Sequence, residues 1–319
     1  GASAPPMPAP TVNVYAGPYV DRASDRRKDA SWLATALDDA ATRFVPVWRS
    51  RSLVRIGTEP GAVLLARESL VAFDPAGAIL LGEFRGQAVF AVEVDAPEPP
   101  SLADAAEFAD LRTTGGLLPA DEAGLLAYAR AMVYWRHRHR WCGTCGAATA
   151  PASAGHVMRC TACGTDYFPR IDPAIIVLIS DGERALLGRQ TAWPPGRYST
   201  IAGFVEPGES LEDAVIREVH EETGARVLDV AYHSSQPWPF PSSLMIGFLA
   251  TASGADAVVR HDGELEAARW FTRAEVAGGA VGLPPPQSIS FRLIAEWYDR
   301  DAPRPLAEEP GVRTWAVRR

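Results

Sequence analysis

The chain has 319 residues, of which 47% are hydrophobic and 22% charged, and its formal net charge is −8. This length predicts two domains with ample cores, because single domains seldom exceed about 250 residues. The negative charge disfavours a general polyanion binder, and no apolar run approaches the roughly 20 residues of a membrane helix. The opening GASAPPMPAP lacks the segments of a secretory signal, so we expect a flexible tail over residues 1–12 and a cytoplasmic protein without membrane partners.

Residues 13–136 are predicted to form a small mixed α/β domain. Short apolar segments alternate with polar ones around VRIG, AVLLA, AILLG and AVFAVEV, a pattern typical of strands. The run LLAYARAMVYW predicts a helix near residues 120–136. The segment DLRTTGG leads into this helix. This region holds no metal-binding box and no nucleophile pattern, so we expect the chemistry to lie elsewhere.

All the cysteines of the chain fall into one pattern, C-x2-C-x14-C-x2-C. They are Cys142, Cys145, Cys160 and Cys163. A glycine follows each pair, which predicts two tight turns that present four thiolates, the ligand set of a structural Zn²⁺. Two disulfides are the alternative, which a cytoplasmic setting disfavours. The basic run RHRHR at 136–140 leaves open a contact with RNA.

The C-terminal half predicts strands mixed with helices, which is the α/β class. YFPRIDPAIIVLI leads into a strand, Asp181-Gly182 makes a turn, and ALLGRQ returns as a second strand, with TIAGF as a third. Further strands are predicted at 228–236, 243–252 and 267–272. A helix near 287–300 is expected to turn four apolar side chains inward. They are Ile289, Leu293, Ile294 and Trp297.

The segment GFVEPGESLEDAVIREVHEETGA, residues 203–225, predicts a helix with a carboxylate patch. Ser210 and Asp213 form a capping box and Gly224 a left-handed C-cap, which bounds the helix at Leu211–Thr223. The i, i+3 and i, i+4 spacings bring Glu218, Glu221 and Glu222 onto one patch. Three close carboxylates repel one another unless a cation lies between them, and hard oxygen ligands suit Mg²⁺ or Mn²⁺. The alternative is a solvated acidic face held by Arg217.

The segment SQPWPFPSSLM, residues 235–245, predicts a stiff loop that carries aromatic rings. Its three prolines exclude an interior strand or a helix. Rings such as Trp238 and Phe240 suit stacking on a flat heterocycle. The alternative is a hydrophobic plug that covers the edge of the sheet.

These motifs carry a family resemblance. The pattern G-x5-E-x7-R-E-U-x-E-E-x-G-U, where U is a bulky apolar residue, is met everywhere except at Ala225, which is small. The matching positions are Gly203, Glu209, Arg217, Glu218, Val219, Glu221, Glu222 and Gly224. The chain thus resembles a Nudix hydrolase. With the four-cysteine ribbon before the box and SQPWPFPxSLM after it, residues 140–300 are similar to the NADH pyrophosphatases, also described as NAD-cap hydrolases acting on RNA.

The resemblance implies a domain organisation, an activity and an assembly. It implies a Nudix-like domain without the box at 13–136, a zinc ribbon at 137–168, a catalytic α/β/α sandwich with a mixed sheet at 169–303, and a C-terminal tail at 304–319. The implied reaction cleaves the pyrophosphate of NAD(H) into AMP and nicotinamide mononucleotide; another dinucleotide is the alternative substrate. An NAD-capped RNA 5′ end is a further implied substrate, and a homodimer is the implied assembly.

The resemblance also assigns residues. The implied metal ligands are the Ala202 carbonyl, Glu218, Glu222 and Glu264, with Glu221 in the same cluster. Glu221 or Glu222 is expected to orient or deprotonate the attacking water. Implied structural residues are Gly203, Glu209, Arg217 and Gly224, with Arg217 paired to Glu209. The implied substrate pocket is lined by Phe168, Phe204, Gln236, Pro237, Trp238, Pro239, Phe240, Pro241, Ser242, Ser243 and Ser290. Relatives commonly have Tyr where Phe168 stands, which keeps the stacking ring but removes a hydroxyl.

Two other functions remain open. A different Nudix specificity, for ADP-ribose or a nucleoside triphosphate, needs the same acidic helix but not the SQPWPFP loop. A nucleotide-sensing regulator with a nucleic-acid-binding ribbon is the other, although such proteins tend to lose the metal carboxylates that this chain retains.

Overall fold

The computed structural model describes residues 13–70, 74–253 and 265–315, which form two compact units. The N-terminal unit comprises Val14–Ile171 together with Trp238–Ser242. The C-terminal unit comprises Asp172–Pro237 and the chain from Ser243 onward, together with Asn13.

A mixed sheet backed by one long helix forms most of the N-terminal unit. Its strands are β1 Val20–Asp21, β2 Arg43–Trp48, β3 Arg51–Arg55, β4 Gly61–Ala62, β5 Ile79–Phe84, β6 Gln87–Glu93 and β7 Ala106–Ala109, and its helices are α1 Ala30–Asp38, α2 Leu111–Thr114 and α3 Ala120–Arg138. The order is β1-β5-β6-β2-β3-β4, with β7 on β3, and β2 runs parallel to β6. The helix predicted near 120–136 is confirmed as α3, whose Leu125, Leu126 and Ala129 are fully buried in the core.

The cysteine-bearing segment adds a three-stranded antiparallel sheet to this unit. It consists of β8 Thr149–Ala152, β9 Val157–Cys160 and β10 Asp166–Tyr167. His156, which is 7% exposed, fixes this small sheet to β5 because its Nε2 lies 2.7 Å from the Leu80 carbonyl oxygen. Burial lowers the pKa of His156 to about 4, so its imidazole is neutral at pH 7.

A mixed sheet between two helices forms the C-terminal unit. Its elements are β11 Asp172–Ser180, β12 Arg184–Gln190, β13 Ile201–Phe204, α4 Leu211–Thr223, β14 Val227–Trp238, β15 Ser243–Ala252, β16 Leu265–Thr272, α5 Arg273–Ala277, β17 Gly282–Leu283, α6 Ile289–Asp299 and β18 Arg313–Thr314. The sheet order is β14-β15-β11-β12-β16, with β13 on β11. β11 is parallel to β15 and antiparallel to β12 and β13.

The central strand β11 buries both of its faces. Ile175 and Val177 pack in one cluster with Val215 and Val219 of α4. The alternate residues of the strand pack in a second cluster with α6, whose four predicted inward side chains are all buried. Because one sheet lies between two helices, the predicted α/β/α sandwich is confirmed.

Two segments have a structure that differs from the one predicted from the sequence. The stretch 235–245 is a hairpin, since β14 runs to Trp238, residues 239–242 turn, and β15 begins at Ser243. Pro237 is tolerated there because β14 lies at the sheet edge, where a missing N–H costs no pairing. The segment after residue 304, expected as a tail, contains the buried Leu306 and the strand β18, which pairs with β17. No helix among the described residues is both long and apolar enough to cross a bilayer.

Candidate active site and metal centre

Helix α4 has the bounds that its capping signals predict. The Ser210 hydroxyl accepts a hydrogen bond from the Asp213 N–H at 3.1 Å, and the Asp213 carboxylate accepts one from the Ser210 N–H at 3.3 Å. Gly224 ends the helix with φ 70°, a left-handed conformation that a glycine adopts without strain. These local bonds fix the register of the glutamates on the helix.

Arg217 lies at the centre of the carboxylate patch. Its guanidinium forms a two-pronged pair with Glu209, donating to Oε1 at 2.5 Å and to Oε2 at 2.9 Å. The same group donates to Glu218 at 2.9 Å and to Glu221 at 3.1 Å. A further bond, at 3.0 Å to the Phe204 carbonyl, joins the helix to the end of β13. Arg217 is therefore paired with Glu209, as predicted. It also contacts two of the predicted catalytic glutamates, Glu218 and Glu221.

These contacts perturb both partners of the central pair. The hydrogen bonds from Arg217, helped by the Glu206 N–H, lower the pKa of Glu209 from 4.5 to about 2. Hydrogen bonding to Glu209 likewise raises the pKa of Arg217. The pair is charged throughout the physiological range.

Gly203 leaves room for a glutamate side chain. A Cβ built at Gly203 would lie 2.0 Å from the Glu218 carboxyl carbon. Strand β13 thus approaches α4 so closely that no larger residue fits opposite Glu218 in its present position. Gly203 also pairs with Ile175 of β11, so the approach is set by the sheet.

The carboxylates fit a divalent cation in their chemistry. Glu222 is 3% exposed and Glu218 is 9% exposed, whereas the side chain of Glu221 is 46% exposed. A nearby cation stabilises the ionised form of carboxylates that are so deeply buried. Arg217 supplies part of that charge to Glu218, and hard oxygen ligands next to solvent are what Mg²⁺ or Mn²⁺ prefers.

The remaining predicted metal ligands and aromatic residues are Ala202, Glu264, Phe204 and Phe168. Ala202 is exposed on β13, next to Gly203, and Phe204 follows with 61% of its surface exposed. Glu264 lies outside the described residues. Phe168, in the N-terminal unit, is 65% exposed. Both phenylalanine rings are thus free of the cores of their own units.

Gln236 and Ser290 are buried inside the C-terminal unit. The Gln236 amide accepts a bond from the Ile289 N–H at 3.1 Å and donates one to the Gln287 carbonyl at 3.0 Å, which secures the start of α6. The Ser290 hydroxyl lies 2.8 Å from the hydroxyls of both Ser199 and Thr200 and accepts from the Thr200 N–H at 3.2 Å. These bonds give both side chains a part in holding α6 and the approach to β13.

The rings of the hairpin turn pack within the N-terminal unit. Trp238 and Phe240 meet edge to face with centroids 4.9 Å apart, and Tyr15 lies 6.2 Å from the first and 5.7 Å from the second. The Arg130 guanidinium lies 4.7 Å from the Phe240 centroid. Pro239 between them is buried, and both rings stay partly exposed. Such packing matches the hydrophobic plug that the sequence left open, while the exposed parts remain available to a ligand.

The other hairpin residues are less enclosed. Pro237, Ser242 and Ser243 are half-buried, and Pro241 is exposed. Tyr15 was not singled out in the sequence, because its ring partners lie more than two hundred residues away.

The two cysteine pairs form matching turns. In the first, the Cys142 N–H donates to the Ala147 carbonyl at 2.8 Å and the Gly146 N–H returns to the Cys142 carbonyl at 2.9 Å. Cys160 and Gly164 repeat both bonds in the second turn. φ is 76° at Gly146 and 75° at Gly164, so a glycine is needed at each.

The four sulfur atoms are arranged to hold a zinc ion. All lie within 4.8 Å of one another, with Sγ–Sγ distances of 3.6 Å for Cys142–Cys163 and 3.4 Å for Cys145–Cys160. Tetrahedral zinc with Zn–S bonds of about 2.3 Å requires about 3.8 Å between sulfurs, so the set fits. The cysteines are free thiols, which rules out the disulfide alternative in this structure.

Two hydroxyl groups support the sulfur cluster. The Tyr167 hydroxyl lies 3.1 Å from Cys142 Sγ, and the Thr165 hydroxyl lies 3.1 Å from Cys163 Sγ. The Tyr167 bond, more than the turn N–H groups, lowers the pKa of the Cys142 thiol to about 5. Outer partners of this kind orient metal ligands and favour the thiolate form. Neither hydroxyl was singled out in the sequence, although both follow the last cysteine closely.

Comparisons with known proteins agree with this order of parts. An NADH pyrophosphatase-like rudimentary NUDIX domain matches residues 41–135, an NADH pyrophosphatase zinc ribbon domain matches 137–168, and a NUDIX domain matches 170–294. The NAD-capped RNA hydrolase NudC of Mycobacterium bovis is 42% identical over 293 residues, covering 87% of this chain and 92% of that protein. The NudC of Stutzerimonas stutzeri is 40% identical over 231 residues, covering 72% of this chain and 81% of that protein.

A human protein provides a partial match. The human NAD-capped RNA hydrolase NUDT12 is 43% identical over 197 residues, which cover 56% of this chain and 42% of the human protein. The similarity to these two bacterial relatives spans 72% and 87% of the chain, whereas the similarity to the human protein spans about half of each.

Proposed function

Because this chain belongs to the Nudix family of NADH pyrophosphatases and NAD-capped RNA hydrolases, we propose that it hydrolyses the pyrophosphate of NAD(H). Water adds across the P–O–P bridge, and the products are AMP and nicotinamide mononucleotide. The same reaction at an RNA 5′ end removes an NAD cap. Two relatives named NAD-capped RNA hydrolase match at 40% and 42% identity, which supports the proposal.

The observation that carries the proposal is the intact carboxylate patch on α4. Glu218 and Glu222 are buried there, and Arg217 holds Glu218 and Glu221 while β13 approaches through Gly203. A nucleotide sensor without catalysis has no need of such a cluster. Hydrolysis of a pyrophosphate does need it, because negative charge builds up on the leaving phosphate.

We assign roles to residues as follows. Glu218, Glu222 and Glu264, with the Ala202 carbonyl, hold Mg²⁺ or Mn²⁺, which when bound neutralises phosphate charge and lowers the pKa of water. Glu221 or Glu222 accepts the proton of the attacking water. Arg217 and Glu209 keep α4 fixed against the end of β13. Phe168 and Phe204 offer exposed rings to the bases of the dinucleotide, and the hairpin Gln236–Ser243 shapes the pocket.

The test compares substrates directly. The full chain is incubated with NADH and, in parallel, with ADP-ribose, first with Mg²⁺ and then with Mn²⁺. AMP and nicotinamide mononucleotide from NADH, at a kcat/KM well above that for ADP-ribose, support the proposal. A preference for ADP-ribose would instead indicate the other Nudix specificity that the sequence leaves open. An NAD-capped RNA assayed beside free NADH ranks the two proposed substrates.

Assembly and location complete the proposal. We propose a homodimer, as the family resemblance implies, which sedimentation of the purified chain tests. A cytoplasmic location is consistent with four free cysteines arranged as metal ligands.

A further inference from the structure

A cleft of about 630 Å³ lies in the N-terminal unit beside the last turn of α3. Its walls come from Arg49 and Ser50 between β2 and β3, from residues 93–97 at the end of β6, and from α3 with the residues just after it. Neither the acidic helix nor the cysteine cluster contributes to its lining. The proposed hydrolysis therefore leaves this cleft without a role.

The cleft is cationic in a chain of net charge −8. Three arginines and a histidine line it against two carboxylates, Glu93 and Asp95. Glu93 is already engaged, with His137 at 2.6 Å and Arg140 at 3.1 Å. The guanidinium groups of Arg49 and Arg138 are exposed and form no hydrogen bond or ion pair with any other residue of the described ranges.

An exposed aromatic residue adjoins this cationic lining. Trp141 directly follows Arg140, and 69% of its surface is exposed. Its ring makes no aromatic contact within the part of the chain that the structure describes. Tyr134, half-buried, lines the cleft itself. The Arg49 guanidinium lies 5.1 Å from the Trp48 ring centroid, and neither it nor Arg138 has an acidic partner among the described residues. Exposed aromatic rings together with such arginines are a feature of surfaces that bind single-stranded nucleic acid.

We propose that this cleft and Trp141 bind the single-stranded RNA chain that follows the NAD cap. Arg49 and Arg138 contact phosphates, for which the planar guanidinium is suited, and Trp141 stacks on a base. An acidic peptide would satisfy the arginines but would offer Trp141 no flat partner. The inference rests on the proposed removal of NAD caps and adds the place where the RNA chain is held.

Binding is tested with uncapped single-stranded RNA, so the result does not depend on hydrolysis. Arg49→Ala with Arg138→Ala is compared with the wild type by fluorescence anisotropy over a range of salt. Loss of two phosphate contacts should weaken RNA binding and make the slope of log K against log salt shallower by about 1.4, at about 0.7 per phosphate of a single strand. Lys28→Ala with Arg55→Ala removes the same charge from exposed positions of the same unit outside the cleft, and should leave the slope near the wild-type value.

Stacking is tested by a second pair of variants. Trp141→Ala should weaken RNA binding roughly 5- to 150-fold, and Trp141→Phe should restore most of it, because any aromatic face can stack on a base. Zinc content and thermal midpoint are measured for each variant, since Trp141 precedes the ligand Cys142.

Activity then separates this inference from the proposed function. In the Arg49/Arg138 variant, kcat/KM for NAD-capped RNA should fall while kcat/KM for free NADH stays unchanged. Equal RNA affinity and salt slope in the variant and the wild type would overturn the inference, as would equal losses in the Lys28/Arg55 control. A Trp141→Ala protein that changes its oligomeric state but keeps its RNA affinity would place Trp141 in a protein interface and remove it from the proposal. A wild type that binds RNA in this cleft yet hydrolyses neither substrate would refute the proposed function alone.

Discussion

Arg217 keeps several carboxylates of the candidate active site close together. It contacts Glu209, Glu218 and Glu221 and also reaches the carbonyl of Phe204. Without it, the buried Glu218 would lie beside other negative groups with less compensation. The arginine is thus a structural part of the site, although it is named in none of the proposed chemical steps.

Glu222→Gln should reduce turnover of NADH by at least about 100-fold, the lower range for loss of a general base. Glutamine has nearly the same shape, so the thermal midpoint should stay close to that of the wild type. Steady-state rates and a melting curve measure the two effects. Glu212→Gln, exposed in the first turn of the same helix, is the matched control and should retain full turnover. Comparable rates in Glu222→Gln and the wild type would refute the assignment.

Gly203→Ala should lower turnover much more than it lowers stability. The new Cβ would overlap the carboxyl end of Glu218, which is a flexible side chain that can swing away. The substitution would therefore displace the Glu218 carboxylate, and we expect kcat to fall at least about 10-fold. Gly124→Ala in α3, where the nearest atom would be 3.5 Å away, is the control and should leave kcat unchanged. An active Gly203→Ala enzyme would show that Glu218 need not occupy its present place.

At the scale of elements, the pair Glu209–Arg217 joins the loop before α4 to the helix. The pKa of Glu209 is depressed from 4.5 to about 2, so its ionised form stabilises the fold above pH 4.5. That contribution is lost as the pH falls from 4.5 towards 2. Glu209→Gln should therefore be less stable than the wild type at pH 7, and the difference should shrink across this window.

Denaturant unfolding at several pH values measures this difference. Glu206→Gln, an exposed residue of the same loop, should show a pH dependence parallel to that of the wild type. A gap between Glu209→Gln and the wild type that stays constant from pH 7 to pH 2.5 would contradict the linkage.

The elements that the sequence predicted well are those whose signals are local. Ser210, Asp213 and Gly224 bound α4 from within the helix and its caps, so its limits could be read directly. The cysteine turns are equally local, since each turn closes within six residues. Strand β2 was missed because its Pro46 argues against a strand unless the partner strands are known.

Side-chain roles that depend on distant partners could not be predicted. The hydrogen bonds of Gln236 to Gln287 and Ile289 were not predicted, because these partners lie about fifty residues further along the chain. For Trp238 and Phe240 the sequence left open both stacking on a ligand and packing as a plug, and their packing on Tyr15 required the fold. The motifs could be recognised in the sequence, but the contacts of their side chains could be known only from the fold.

At the scale of the whole molecule, the zinc ion is expected to stabilise the N-terminal unit. The ribbon segment has three strands of only two to four residues and contributes little besides Met158 to the hydrophobic core, so the ion is expected to supply much of its folding energy. Cys160→Ser should lose zinc and lower the melting temperature. Tyr167→Phe, which removes the hydroxyl beside Cys142, should keep zinc but bind it at least about 10-fold more weakly.

Metal analysis and competition with a chromogenic chelator measure both variants. One zinc per chain is expected for the wild type. A Cys160→Ser protein with full zinc content would contradict tetrathiolate coordination, and a Tyr167→Phe protein with unchanged zinc affinity would remove Tyr167 from a supporting role.

Because Arg217 pairs with Glu218 and Glu221, loss of the metal should affect the local structure differently at the two metal centres. The thiolates of the ribbon have no resident cation, so losing zinc means losing local structure. Glu218 and Glu221 on α4 keep a permanent counter-ion in Arg217, so this part of the site does not have to refold before a metal binds. The divalent-ion concentration can therefore control catalysis reversibly. A chelator too weak to remove zinc from the ribbon should abolish activity, and adding the divalent ion back should restore it without a folding step.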